Sequence, residues 1–370
     1  MIEDPLALTT VIVSITALSF WVARRFGWGA KIGASLLVIV FGALLSNLDV
    51  VPASSPVYGV IGGPVTSLAI VWLLFAVNLR DLRVAGPRML VAFGVAVIAT
   101  ATGAFVAFAL FGSAFPEDGW RLAGTLTGTY SGGSVNFASV GRAVDLSGSL
   151  FAAATAADNL VTGLWVGATL LLPVWLGKLY PPPPAVANEE AEVEDPMHQA
   201  VGFTVLDLLL LGGLALGVLL AAERAALWTP AVPAIIWITT FALLVAQLPQ
   251  VRALSGSLQL GTLALHLFFA VIGIGSRVDQ ILEVGIQVFY FTAVVVLVHG
   301  LVLFSVARLA RLDVETTAVA SQAAVGGPST ALALAVIRKR SELALPGAMV
   351  GLLGYALGTY AGLAVAYLVR

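Results

Sequence analysis

Two stretches of the sequence interrupt apolar runs with helix breakers and small polar side chains. The first is Leu126-Thr127-Gly128-Thr129-Tyr130-Ser131-Gly132-Gly133-Ser134-Val135-Asn136-Phe137, and the second is Ala320-Ser321-Gln322-Ala323-Ala324-Val325-Gly326-Gly327-Pro328-Ser329-Thr330. Two adjacent glycines cost about 2 kcal/mol relative to alanines inside a helix. Backbone groups freed in an apolar medium cost several kcal/mol each unless they line a cavity or are buried in protein. Proline is favoured at the first position of a helix, where its missing N–H is no loss. A half-helix is therefore expected to start at Gly327-Pro328, with a counterpart near Gly133-Ser134. The N–H groups at such starts are unpaired and partly positive, which suits a solute carboxylate, while unwound carbonyls suit a cation. The candidate solute ligands are Tyr130, Ser131, Gly132, Gly133, Ser134 and Asn136 in the first break, and Gln322, Gly326, Gly327, Pro328, Ser329 and Thr330 in the second.

A third constellation carries the charge. Thr155-Ala156-Ala157-Asp158-Asn159-Leu160-Val161-Thr162 holds an acid near the middle of a long apolar run. A carboxylate at mid-bilayer costs roughly 2.5–3.5 kcal/mol on insertion scales and marks a functional site by default. Thr162 lies one helical turn after Asp158 and three residues after Asn159, so the three can share one polar face. Asp158, Asn159 and Thr162 are read as a cation-coupling group for Na⁺ or H⁺, with Asp158 as the candidate Na⁺ ligand. His266 and His299 also sit in apolar runs, where a packed interhelical hydrogen bond is the simpler role and proton relay the other.

These residues need long apolar elements to position them. Apolar segments fall at about residues 6–23, 32–48, 57–79, 88–112, 119–142, 149–177, 201–222, 230–248, 256–275, 286–307, 315–337 and 346–369. Residues 179–200, with four successive prolines and an acidic run, read as a solvated linker. They separate a first membrane repeat (1–178) from a second (201–370). Gly132-Gly133 and Gly326-Gly327, Ala76 and Ala270, and Arg83 and Arg277 are all related by an offset of 194 residues. If the glycine segments cross the membrane, each half has six spans and the halves are parallel. If they are re-entrant, each half has five crossings and the halves are inverted. The positive-inside rule does not choose, because either arrangement places a nearly equal majority of the 18 Lys and Arg on one side.

Composition fixes the class. Of 370 residues, 59% are hydrophobic and 10% charged, too few charges to cover a soluble fold of this size. The 38 glycines fit close helix packing in lipid. A net charge of −2 argues against nucleic acid as a partner. With no cysteine there is no disulfide or thiolate metal site. Met1-Ile2-Glu3-Asp4 lacks a basic leader region, so the first apolar run is read as a span. There is no nucleotide-binding loop and no hydrolase or metalloprotease motif, so neither an enzyme nor ATP-driven transport is expected.

The runs Gly128–Phe137, Ala157–Thr162 and Val325–Thr330, with Asn78-Leu79-Arg80-Asp81-Leu82-Arg83, resemble the YjcL-like family of uncharacterised membrane proteins over essentially the whole chain. More distantly, the plan resembles the sodium/glutamate and sodium/citrate symporter families. That resemblance implies inverted repeats with glycine-glycine re-entrant hairpins, solute contacts at 131–136 and 325–330, an elevator-like motion and a homodimer. Val135 and Ser329 replace the further glycine of those families, and no arginine stands out within the membrane as a carboxylate clamp.

The expected fold is thus an all-α polytopic membrane protein of two structural repeats, inverted on the strength of the resemblance, each with five crossings and a glycine-broken re-entrant segment. The expected function is secondary transport in the cell (inner) membrane: Na⁺- or H⁺-coupled symport of a small organic solute, an organic anion or amino acid. No cofactor is expected beyond Na⁺, and the partners are the solute, the ion and the lipid bilayer. Cation/proton antiport is the alternative.

Overall fold

The computed structural model describes residues 2–52, 54–182, 202–230, 232–275 and 278–370. Most of the acidic linker, and Arg277 of the matched basic pair, lie outside the described residues. The secondary structure among the described residues is helical. Seven principal helices precede the linker: α1 (Pro5–Arg25), α2 (Ala34–Asn47), α3 (Pro56–Phe75), α4 (Leu82–Phe111), α5 (Gly119–Thr129), α6 (Ser134–Ala143) and α7 (Gly148–Leu176). Seven follow it: α8 (Val205–Trp228), α9 (Ala234–Ala246), α10 (Ser257–Ile274), α11 (Val278–Leu309), α12 (Val314–Val325), α13 (Pro328–Ile337) and α14 (Ala344–Val369).

Eight helices among the described residues are long and apolar enough to cross a bilayer, four on each side of the linker. They are α1, α3, α4, α7, α8, α10, α11 and α14, some with a flanking turn. At 14 and 13 residues, α2 and α9 reach only about 20 Å, short of a hydrocarbon core of about 30 Å. The large exposed side chains, among them Leu209, Leu216 and Leu220 on α8 and Leu297 and Leu301 on α11, are those of a surface suited to lipid.

Local sequence sets the helix ends. Asp4 caps α1 by accepting the Ala7 N–H at 2.8 Å, and Pro5 occupies its first turn. Thr204 and Asp207 form a reciprocal capping box at the start of α8. Within α3, Pro64 lies in a wide turn of π geometry spanning Ile61–Val65, where it cannot supply an N–H.

The helices sort into two bundles. α1, α2, α3, α8, α9 and α10 pack on one another, and α4 to α7 pack with α11 to α14. Few contacts join the two sets. Within the second bundle α4 packs on α11, and α14 packs on α4, α5 and α13.

Candidate functional site

The chain stops being helical where the glycine pairs fall. α5 ends at Thr129, and Tyr130, Ser131 and Gly132 lead to Gly133, which precedes α6. α12 ends at Val325, and Gly326 leads to Gly327, which precedes α13 with Pro328 as its first residue. The half-helix starts expected from sequence are thus where helices begin. Gly133 has φ 89° and ψ −170°, and Gly327 has φ 83° and ψ −168°. Both lie in a backbone region that is essentially closed to side chains. Neither start has a side-chain cap. A Cβ built on Gly133 would lie 3.9 Å from the Cα of Gly327, so the two uncapped, partly positive helix starts come close together.

Helix α14 supports both breaks. A Cβ on Gly351 would lie 2.6 Å from the nitrogen of Pro328, and one on Gly354 would lie 2.7 Å from the Cα of Gly132. Gly358 and Gly362 repeat this close approach toward Asn136, Gly128 and Gly124. Asn136 locks the arrangement. Its Nδ2 donates to the Gly354 carbonyl at 2.9 Å, and Thr359 Oγ1 donates to its Oδ1 at 2.8 Å. The Asn136 amide, fully buried, is therefore committed to α14 rather than turned toward a solute.

The other expected ligands divide. Ser131 Oγ and Gln322 Oε1 are buried and have no hydrogen-bond partner among the described residues, whereas the buried Tyr130 Oη stands against the Asp158 carboxyl group. Buried polar atoms are normally satisfied, so Ser131 and Gln322 retain capacity for a further partner beside the breaks. Gln322 Nε2 is held by Thr169 Oγ1 at 2.8 Å. Ser134 is exposed, whereas the Thr330 hydroxyl is spent on the carbonyls of Gln322 and Gly327, each at 3.1 Å. Thr162 Oγ1 donates to Asp158 Oδ1 at 3.1 Å, and the Tyr130 hydroxyl faces the same carboxyl group. Asn159 turns away. Its Nδ2 donates to the Thr155 carbonyl at 2.8 Å, and its Oδ1 stands near Gly33, just before α2. The sequence grouped Asp158, Asn159 and Thr162, whereas the structure groups Asp158 and Thr162 with Tyr130. No cluster of three or more His, Asp or Glu able to hold a metal occurs among the described residues. The oxygens around Asp158, a carboxylate and two hydroxyls, are the hard donors that suit an alkali cation or a proton.

His299 is a packed hydrogen-bond hub. Thr100 Oγ1 donates to the Tyr130 carbonyl at 2.8 Å and lies 2.9 Å from His299 Nδ1. His299 Nε2 lies 2.9 Å from Ser321 Oγ, which accepts from Trp165 Nε1 at 2.9 Å. A neutral imidazole protonated at Nδ1 lets every hydroxyl in this chain donate once and accept once. The chain runs from the first break to α12 through the α4–α11 contact. His266 lies in the other bundle, between Ser35 Oγ at 3.1 Å and the Thr262 carbonyl at 2.8 Å.

Sequence reading missed Arg142, which closes α6 and lines a cavity of about 540 Å³ between the two bundles. Ser139 and Arg142 of α6 face Ser67 beside the π turn of α3, Glu223 of α8 and the start of α9. Arg142 Nη1 reaches Ser67 Oγ at a long 3.4 Å. The Ser139–Arg142 spacing at the end of a broken segment was the available signal. The basic residue after α13 is placed differently, since Arg338 is ion-paired with Glu315 through Nη2 and Oε1 at 2.5 Å.

Two comparisons bear on this arrangement. The family described as "Protein of unknown function (DUF819)" matches residues 10–370. The chain is 26% identical over 380 aligned positions to "Uncharacterized membrane protein YjcL" of Bacillus subtilis (strain 168), covering 97% of this chain and 96% of that protein. With the eight spans, this similarity makes the chain a multi-pass membrane protein.

Proposed function

The chain belongs to the DUF819 family, whose description assigns no activity, and we propose that it is a secondary active transporter coupling Na⁺ or H⁺ to symport of a small organic solute by alternating access. One observation carries the reading. Two glycine breaks adopt nearly the same rare backbone conformation, 194 residues apart, and come close together. Paired broken helices with positive ends close together are the arrangement from which membrane transporters build solute sites.

The packing supports a duplicated unit. Seven helices on each side of the linker follow the same order of long and short elements. Their contacts are reciprocal: α7 packs on α11 as α14 packs on α4, α2 on α10 as α9 on α3, and α1 on α10 as α8 on α3. Asp145 and Lys339, the same 194 residues apart, share φ 56°. In this proposal the units are inverted, with α5–α6 and α12–α13 as re-entrant hairpins. The fifth crossing of each unit is α2 extended by the short helix Gly27–Ile32, or α9 extended by Pro249–Arg252. The sparse contact between bundles favours movement of the break-bearing bundle against the other, in a homodimer.

Asp158 with Thr162 and Tyr130 supports cation coupling near the first break. Ser131 Oγ and Gln322 Oε1 support a polar solute rather than an ion alone. Cation/proton antiport is the second reading, favoured by the Asp158 carboxylate, which has no basic partner among the described residues. Nothing in the proposal requires enzymatic chemistry or a cofactor other than Na⁺.

Uptake of labelled organic anions and amino acids by proteoliposomes, under an imposed Na⁺ or pH gradient, tests the symport. Gradient-dependent accumulation is the expected result. Exchange of Na⁺ for H⁺ with no solute present, read by an entrapped pH dye, is the result that selects antiport instead.

A further inference from the structure

Outside the breaks, the strongest unexplained charge is Arg142. It is half-buried, and its described partner is Ser67 Oγ at 3.4 Å, long for a hydrogen bond. A half-buried guanidinium that lines a cavity without an anion keeps donors available to a negatively charged group. Arg338, closing the other half-helix, has its carboxylate in Glu315. Arg142 has none within ion-pairing distance among the described residues, although Glu223 opens onto the same cavity from α8. The two charges thus share one cavity without pairing. At about 540 Å³ it falls within the range for a small-molecule site, with serines 67 and 139 as further polar groups on its wall.

The π turn of α3 shapes the opposite side. Pro64 brings no N–H, Thr66 Oγ1 donates to the Ile61 carbonyl at 2.7 Å, and Ser67 Oγ donates to the Gly63 carbonyl at 3.1 Å. These bonds leave the Ser67 oxygen as an acceptor directed toward Arg142. The site therefore takes one wall from each bundle, and a solute in it would touch both.

We infer that this cavity is a binding subsite for a zwitterionic solute with the chemistry of a free amino acid, its carboxylate on Arg142 and its ammonium group on Glu223. Arg142 supplies the planar donor pair that matches a carboxylate. Glu223 on the facing helix disfavours a solute with two negative charges, and Arg142 disfavours a bare amine. The inference deepens the transport reading and rests on it for its meaning, but the subsite itself is defined by binding.

The test is calorimetric titration of the purified protein with individual free amino acids, without any gradient. Each amino acid that binds is followed by its two analogues, one lacking the amino group and one lacking the carboxylate. The expected result is binding of a free amino acid, weakened about 10- to 100-fold in Kd by removing either group or by Arg142→Gln. Arg142→Lys is expected to retain part of the affinity, which separates charge recognition from misfolding. Glu223→Gln is expected to weaken the amino acid but not its deaminated analogue. The inference is overturned if no free amino acid binds, if a singly charged analogue binds as tightly, or if Arg142→Gln and Glu223→Gln both leave Kd unchanged. Absent uptake with intact binding would count against transport instead, and gradient-driven uptake of a solute of another charge would sink only this subsite.

Discussion

Substituting Gly327 by alanine separates backbone conformation from packing. A Cβ added there meets nothing within 4 Å, so no clash accompanies it. Its φ of 83° and ψ of −168° place it in a region that costs a side-chain-bearing residue about 1–3 kcal/mol. Gly94, in the middle of α4, provides the comparison. Its Cβ would also meet nothing, but its backbone is helical. There the same substitution removes the glycine penalty and is expected to stabilise the helix by about 0.5–1 kcal/mol. The same added methyl group should therefore act with opposite sign at the two positions. The assay is reversible unfolding in mixed micelles, followed by tryptophan fluorescence, for wild type, Gly94→Ala and Gly327→Ala. Gly327→Ala should lower stability and should also reduce proteoliposome uptake, because relief of the strain moves the start of α13. If Gly327→Ala is as stable as Gly94→Ala, the break is not held in its strained geometry, and the argument for paired, preorganised helix ends fails.

Three further outcomes follow from named contacts. Asp158→Asn should abolish dependence of uptake on the coupling ion while leaving the unfolding midpoint within a few degrees of wild type, measured as uptake with and without the gradient; unchanged coupling would remove Asp158 from the cation role. Asn136→Leu removes the second bond to the Gly354 carbonyl and the acceptor of the Thr359 hydroxyl and should cost about 1–3 kcal/mol in the same unfolding assay; a neutral effect would mean that this amide does not secure α6 to α14. Ser321→Ala removes the hydroxyl between Trp165 and His299 and should shift the tryptophan emission; difference spectra against Trp165→Phe identify the ring responsible, and an unaltered spectrum would deny the chain that links α7, α12 and α11.

Much of this architecture was legible in the sequence because the relevant signals are local. Gly132-Gly133 and Gly327-Pro328 state their own conformational requirement, and both half-helices begin where that requirement predicts. Asp158 is conspicuous because carboxylates are expensive in apolar runs. Long-range partners are not legible in this way. Asn136 looked like a ligand because an amide beside a glycine pair suits a solute, but its partners, Gly354 and Thr359, lie more than 200 residues away. Asn159 shares a helical turn with Asp158 yet faces α2, because side chains one residue apart diverge by about 100° around a helix. Arg142 read as the end of a segment, and only the approach of α3 and α8 turns it into the wall of a cavity.

In the proposed repeat, the two halves divide their labour unequally. At the 194-residue offset, Gly354 and Gly358 of α14 correspond to Leu160 and Leu164 of α7, which are 55% and 63% exposed. The α14 glycines admit the backbone of both breaks to direct contact, and this excludes any side chain from that face. On α7 the leucines keep the backbone away and point outward, while Asp158, Thr162, Trp165 and Thr169 reach inward with side chains. One helix thus serves as a rail against which both breaks are fixed, and the other carries the polar groups that address them. A helix packed by glycine against a neighbouring backbone has no room for a carboxylate on the same face. That exclusion does not extend to Leu352, the residue at the Asp158 position of α14, which lies about 100° around the helix from Gly351, so the missing acid there is a difference in sequence and not a packing requirement.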